Sequence, residues 1–215
     1  MSYIIIGPAG ALLLALLFCE KKENPTGIFI TKPSLSFLFV LTAWMQPSTG
    51  HMYGALILSG LVLSLIGDIC LIFSSRKMFL SGLVAFLVGH VFYTAAFFQQ
   101  AVLGKWTVAG LLLASVTGWA ILSWLRPFLG NMLGPVIAYV AAISLMVSGA
   151  ASVMGDGLLQ STGRWLVFSG AISFYLSDIC VARQQFVRDD YLNRAVGLPL
   201  YYLGQFLLAF SIGRL

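Results

Sequence analysis

Long unbroken apolar stretches fill this chain, and short polar clusters punctuate them: "EKKENPTG", "QPSTG", "SSRK", "LGK", "RPFLGN", "MGDGLLQSTG" and "ARQQFVRDDYLNR". The stretches are continuously apolar rather than alternating, which predicts helices and argues against a membrane β-barrel. A bilayer-crossing helix needs about 20 apolar residues, within a range of about 17–25. On that measure spans fall near 2–19, 31–47, 51–73, 78–99, 105–124, 132–153, 162–183 and 194–212. The second is short and carries Pro33 in its predicted first turn, where proline is tolerated. The opening "MSYIIIGPAGALLLALLF" has neither a basic start nor a cleavage site and reads as a retained span.

Composition makes the membrane assignment firm. Of 215 residues, 60% are hydrophobic and 9% charged, whereas soluble domains carry about 25% charged residues. The expected fold class is therefore an all-α integral membrane protein, a single transmembrane domain over 1–215 with eight spans. The net charge of +5 does not point to nucleic acid, because Lys and Arg in such a chain set orientation and meet lipid head groups. Odd-numbered connections hold Lys21, Lys22, Lys32, Arg76, Lys77, Arg126, Arg183, Arg188 and Arg194, and the other side holds Lys105, Arg164 and Arg214. Nine cations against three places the odd loops in the cytoplasm and both termini outside, as expected for a cell-membrane protein. Cys19, Cys70 and Cys180 form no CxxC pair and read as reduced, small apolar residues.

Two stretches carry the candidate chemistry. "SGLVLSLIGDIC" at 59–70 and "SGAISFYLSDIC" at 169–180 share Ser-Gly, an apolar run, and Asp-Ile-Cys, offset by 110 residues. They fall in spans 3 and 7, which run in the same direction, so the chain reads as two four-helix halves (roughly 1–103 and 104–215) in parallel repeat. Asp68 lies five residues before Phe73 and Asp178 five before Arg183, roughly 8 Å inside each helix end. An aspartate within a span costs about 2.5–3.5 kcal/mol at the helix centre and less near the ends, so each should face the bundle or a wet cavity. Small residues support this: Gly60, Ser64 and Asp68 recur every fourth position, and Ser169, Ser173 and Ser177 lead up to Asp178. The structural alternative pairs the aspartates with Lys32 or Arg183.

Spans 4 and 8 add polar groups. His90 and Tyr93 share one helical face, as do Tyr201 and Gln205. Counting thirteen residues into its predicted span puts His90 roughly 18 Å from the cytoplasmic end, deeper than Asp68, as a cavity-lining group rather than a proton partner. The candidate substrate-binding set is thus Lys32, His90, Tyr93, Tyr201 and Gln205. His51 and His90 are the two histidines, too few for a three-histidine zinc site, and no metal or cofactor is expected. No nucleotide loop and no GxSxG motif occurs. Asp156 reads as a turn, and Asp189-Asp190 as a solvated loop ending at a helix cap.

The segments "TKPSL", "SLIGDICLIF", "FLSGLVAFLVGHVFY", "FYLSDICVA" and "YYLGQFLLAFS", in this order, resemble the motif set of the YhhN-like membrane family, the lysoplasmalogenases. The resemblance implies a multi-span enzyme that hydrolyses the vinyl-ether bond of lysoplasmalogens to a fatty aldehyde and a glycerophospho-alcohol. It carries the family's candidate catalytic carboxylates onto Asp68 and Asp178. The residues suit that chemistry. Vinyl ethers hydrolyse by protonation at carbon, and water captures the resulting oxocarbenium ion, so one protonated and one ionised carboxyl suffice. Burial favours a neutral carboxyl, and neighbouring carboxyls resist ionising together; glycosidases use the same pairing on an oxocarbenium-like transition state. The expected partners are the lysophospholipid, with its head group near Lys32, Arg76 or Lys77, and bilayer lipids. Competing readings are a lipid-binding protein or transporter without chemistry, and a hydrolase of another lysolipid bond. The charge bias gives a direct prediction: a reporter fused at Leu215 is active only as a non-cytoplasmic marker, and cytoplasmic reporter activity there refutes the topology.

Overall fold

The computed structural model describes residues 2–47 and 51–215, and positions 48–50 of the predicted second connection lie outside it. Among the described residues the chain is helical throughout, without strands. The α-helices are α1 (Ile6–Lys21), α2 (Pro25–Trp44), α3 (Met52–Cys70), α4 (Arg76–Gln100), α5 (Lys105–Leu129), α6 (Leu133–Gly155), α7 (Ser161–Ala182) and α8 (Tyr191–Ser211). Five helical segments are long and apolar enough to cross a bilayer: Pro25–Trp44, Met52–Cys70, Arg76–Gln100, the joined stretch Lys105–Gly155, and Ser161–Val187. Much of the outer surface is apolar, with Leu14, Trp44, Leu113 and Trp119 exposed, as expected where lipid rather than water surrounds the molecule.

Several boundaries differ from the pattern reading, each for a local reason. Helix α2 begins at Pro25, not near 31, because Asn24 caps it by accepting the Gly27 N–H at 3.1 Å and Pro25 sits at the first turn. Pro33 is consequently inside the helix, and Lys32 is a buried helical residue rather than a loop cation. Removing Lys32 from the count leaves eight loop-side cations against three, so the bias survives. Helix α5 runs through Pro127 to Leu129; bilayer helices tolerate interior proline because neighbours re-satisfy the freed carbonyl. Helix α7 does not stop near Arg183 but continues through a π-helical turn, Arg183–Val187, closed by the Arg188 N–H on the Arg183 carbonyl at 2.8 Å. Asp190 then caps α8 by accepting the Leu192 N–H at 3.1 Å, and Asp156 accepts the Leu158 N–H in its turn at 3.0 Å.

Close helix pairs position the site. Helix α3 packs along α4, and α7 along α8. A side-chain carbon placed on Gly89 would lie 3.3 Å from the Gly60 carbonyl oxygen, and one on Gly204 only 2.9 Å from that of Gly170. The backbones touch, which requires glycine at the crossing. Between the pairs lies an aromatic core that includes Phe39, Tyr93, Phe97, Phe174 and Tyr202. Contact at Gly204 predicts that Gly204→Ala forces α7 and α8 apart and destabilises the protein by about 1–3 kcal/mol, as overpacking does. Thermal unfolding in detergent measures this against Gly10→Ala, which meets open space and should behave as wild type.

Candidate active site

A cavity of about 830 Å³ opens at the end of the bundle where α1, α3, α5 and α7 finish, and both Asp68 and Asp178 line it. Its mouth is polar, with Glu20, Ser75, Arg76, Gln184, Asp189 and Arg194; its inner wall is apolar, with Phe79, Leu83, Leu125, Val136, Val140 and Ile143. The shape is amphiphilic, and the polar end lies on the cation-rich side of the chain.

Asp68 is almost sealed in, its side chain 3% exposed. Two helices supply its partners. From α2, Lys32 Nζ lies 3.5 Å from Oδ1. Four residues on, one helical turn away, the Ser36 hydroxyl donates to Oδ2 at 2.7 Å. From α8, the Tyr201 hydroxyl donates to Oδ2 at 2.6 Å. The Tyr202 hydroxyl, 3.2 Å from Ser36 Oγ, is the next hydroxyl outward. Every partner of this carboxylate is a donor, and one carries a positive charge, the arrangement a buried anion requires.

Asp178 is built differently. Tyr139 of α6 donates to Oδ2 at 2.7 Å, and His90 Nε2 of α4 lies 3.8 Å from the same oxygen. That separation exceeds hydrogen-bonding distance, and Nε2 has no other hydrogen-bond partner among the described residues. The imidazole is fully buried and packed on rings, 4.7 Å from Phe174 and 5.1 Å from Tyr139 between centroids. Asp178 itself is 17% exposed to the chamber. Phe174 lies 5.3 Å from Tyr201, and Phe86 lies 5.9 Å from Tyr201. The rings of Phe174, Phe86 and Tyr201 thereby link the surroundings of the two carboxylates, and aromatic faces attract cations.

Against the sequence expectations, Lys32 and Tyr201 come to Asp68, and both line the chamber. His90, Tyr93 and Gln205 do not reach the chamber wall. His90 stands behind Asp178, and the Tyr93 hydroxyl donates to Gln205 Oε1 at 2.9 Å inside the bundle. His90 is nevertheless brought to Asp178, 3.8 Å from Oδ2: α7 extends nine residues beyond Asp178, to Val187, which sets this aspartate roughly 13 Å inside its end rather than the roughly 8 Å expected. Ser36, Tyr139 and Tyr202 were missed. Ser36 was legible as the residue one turn after Lys32, and Tyr139 as the lone hydroxyl in "GPVIAYVAA"; Tyr202 gave no signal beyond its neighbour. Arg183 pairs with neither aspartate: its Nη1 donates to Asn193 at 2.6 Å.

Fold and cavity define a class: a helical integral membrane protein with two carboxylates facing one amphiphilic chamber. The chain belongs to the YhhN family, whose profile matches residues 27–212, a range that includes every residue named around the two aspartates. A human protein, lysoplasmalogenase TMEM86A, is 32% identical over 179 residues, covering 81% of this chain and 72% of its own. Rat lysoplasmalogenase TMEM86B is 33% identical over 203 residues, covering 92% and 78% respectively. No solved structure gives a significant match.

The Lys32–Asp68 contact makes its own prediction. Lys32→Met strands a buried carboxylate and should lower stability in detergent by up to about 3 kcal/mol. The double variant with Asp68→Asn should be more stable than Lys32→Met alone, and simple additivity of the two losses refutes the pairing.

Proposed function

We propose that this protein hydrolyses the vinyl-ether bond of lysoplasmalogens, releasing a fatty aldehyde and a glycerophospho-alcohol. The observation that carries the reading is the placement of Asp68 and Asp178 on one chamber with a polar mouth and an apolar interior. A lysolipid has that polarity: a charged head group, a glycerol, and one chain that begins at the bond to be broken. With its head between Arg76 and Arg194 and its chain along Val136, Val140 and Ile143, the vinyl ether passes the depth of the carboxylates. The names of the relatives point to the same substrate. The protein is an enzyme acting on an ether bond, and we assign catalysis to Asp68 and Asp178, with Lys32 and Tyr201 holding the first.

The chemistry needs an acid, a base and a water, and no cofactor. Protonation of the alkene carbon leaves an oxocarbenium ion, which a carboxylate and the π faces of Phe86 and Tyr201 stabilise. Water adds, and the hemiacetal collapses. We further infer that helices α1 to α8 are eight crossings of a single membrane domain, with both termini non-cytoplasmic and the two halves in parallel repeat. Matched glycine contacts favour the repeat: Gly60 against Gly89 and Gly170 against Gly204 join α3 to α4 and α7 to α8 in the same way. So do the cross-half contacts, α4 with α6 and α8 with α2, which a twofold relation would pair.

Activity on lysolipids that differ only in the sn-1 linkage tests the function. The purified protein should release aldehyde from the vinyl ether and leave the saturated ether and the ester intact; equal hydrolysis of the ester refutes the assignment. Asp68→Asn and Asp178→Asn should each reduce kcat by about 10²–10⁴-fold while remaining folded. The wild-type pH profile should be bell-shaped, since one carboxyl must be protonated while the other is ionised. Exhaustive chelation should leave the rate unchanged, and restoration of a chelated enzyme by a divalent ion refutes the two-carboxylate mechanism.

A further inference from the structure

The two carboxylates arise from matching segments of sequence, yet their surroundings are unlike, and the difference bears on their roles. Asp68 receives only donors: an ammonium at 3.5 Å on Oδ1 and two hydroxyls at 2.6 and 2.7 Å on Oδ2. The ionised form of this carboxyl accepts from all three groups, whereas a proton on it would forfeit the Lys32 contact and require one of the hydroxyls to turn and accept. Asp178 has one donor, Tyr139 on Oδ2, and no Lys or Arg nitrogen within 4.0 Å among the described residues. Its Oδ1 makes no protein hydrogen bond there, and the side chain keeps 17% of its surface open to the chamber. The nearest basic side chain, His90, is sealed among aromatic rings, and its Nε2 makes no hydrogen bond among the described residues. Apart from Asp178 itself, 3.8 Å away, neither ring nitrogen has a polar partner among the described residues.

Resting on the vinyl-ether reading above, we propose that Asp178 is the proton donor and that Asp68 remains the carboxylate, held so by Lys32 as a positioning residue. In the first step the Asp178 O–H bond breaks and the alkene π pair forms the new C–H bond at the carbon remote from the ether oxygen. Positive charge develops at the ether-linked carbon and its oxygen, facing the Asp68 carboxylate. Water adds to that carbon and gives a proton to Asp68. In the collapse the hemiacetal O–H proton passes to Asp178, the carbon–oxygen bond to glycerol breaks, and Asp68 returns its proton to the leaving oxygen. One water is consumed, and both carboxyls end as they began. The groups facing Asp68 from neighbouring elements are Lys32, Tyr201, Tyr202 and, at longer range, Tyr93; those facing Asp178 are Tyr139 and His90, with Cys180 on its own helix. Lys32 is the one Lys or Arg in either set.

The pH dependence of kcat/KM in the full-length protein in detergent, for wild type and single variants acting on a vinyl-ether lysolipid, tests the division. Wild type should fall about tenfold per pH unit on each side of its optimum. The residual activity of Asp68→Asn should lose the acid-side limb and keep the alkaline one, and that of Asp178→Asn the reverse. Lys32→Gln, which keeps both carboxyls, should displace the acid-side limb alone. The mirrored pattern, or displacement of the alkaline limb by Lys32→Gln, overturns the assignment; so does loss of the alkaline limb in His90→Gln, which would give the proton to the imidazole. Aldehyde release with both limbs intact and losses under tenfold in both Asn variants would instead sink the carboxylate pair itself, and no release by wild type would sink the vinyl-ether reading.

Discussion

The contact between Lys32 and Asp68 is the constraint on which the rest of the site depends. Neither charge belongs inside a bilayer alone, and an unpaired ion there costs several kcal/mol. Pairing them obliges α2 and α3 to meet at one level, and the hydroxyls of Ser36 and Tyr201 then draw α8 into the same place. A charged pair that needs this many donors fixes the relative height of three helices far more tightly than apolar packing would, because aliphatic contacts tolerate sliding and a 2.6 Å hydrogen bond does not.

Close backbone approach is the second requirement. Side-chain hydroxyls reach across from α8 to α3 only if the helices around them stand near, and glycines at 60, 89, 170 and 204 remove the Cβ atoms that would hold them apart. In a membrane, where lipid competes for every apolar surface, such contacts rather than hydrophobic burial hold helices together. The same helices leave one end of the bundle open. There the π-helical turn at Arg183–Val187 and the first turn of α4 meet through the edge-to-face rings of Phe186 and Phe79, 5.9 Å apart. The rim they form is where polar head-group contacts give way to an apolar wall.

How far the sequence reached is best seen residue by residue. The helical class, the membrane setting and the matching positions of Asp68 and Asp178 in two parallel segments were legible, since they follow from run length, composition and two matching frames. Lys32 was legible as a residue and misplaced as a loop cation, because an asparagine cap and a proline at the first turn of α2 start that helix earlier than hydropathy suggests. His90 was legible as a polar intrusion, but its neighbour Asp178 was assigned too shallow a depth, because nothing in "ARQQFVRDD" announces that α7 continues as a π-turn.

What the sequence by itself determined is the inventory: an apolar chain in long runs, few charges, and two aspartates set inside helices where a carboxylate must find partners. Those are local properties, read from hydropathy and spacing along one strand of chain. Only the tertiary structure decided which partners each aspartate finds. Lys32 and Tyr201 lie 36 and 133 residues from Asp68, and Tyr139 and His90 lie 39 and 88 from Asp178. A carboxylate's chemistry is set by the charges and donors within a few ångströms of it, and that neighbourhood exists only once α2, α3, α4, α6, α7 and α8 have packed. Two nearly identical segments thus acquire different surroundings, because the helices that enclose them differ.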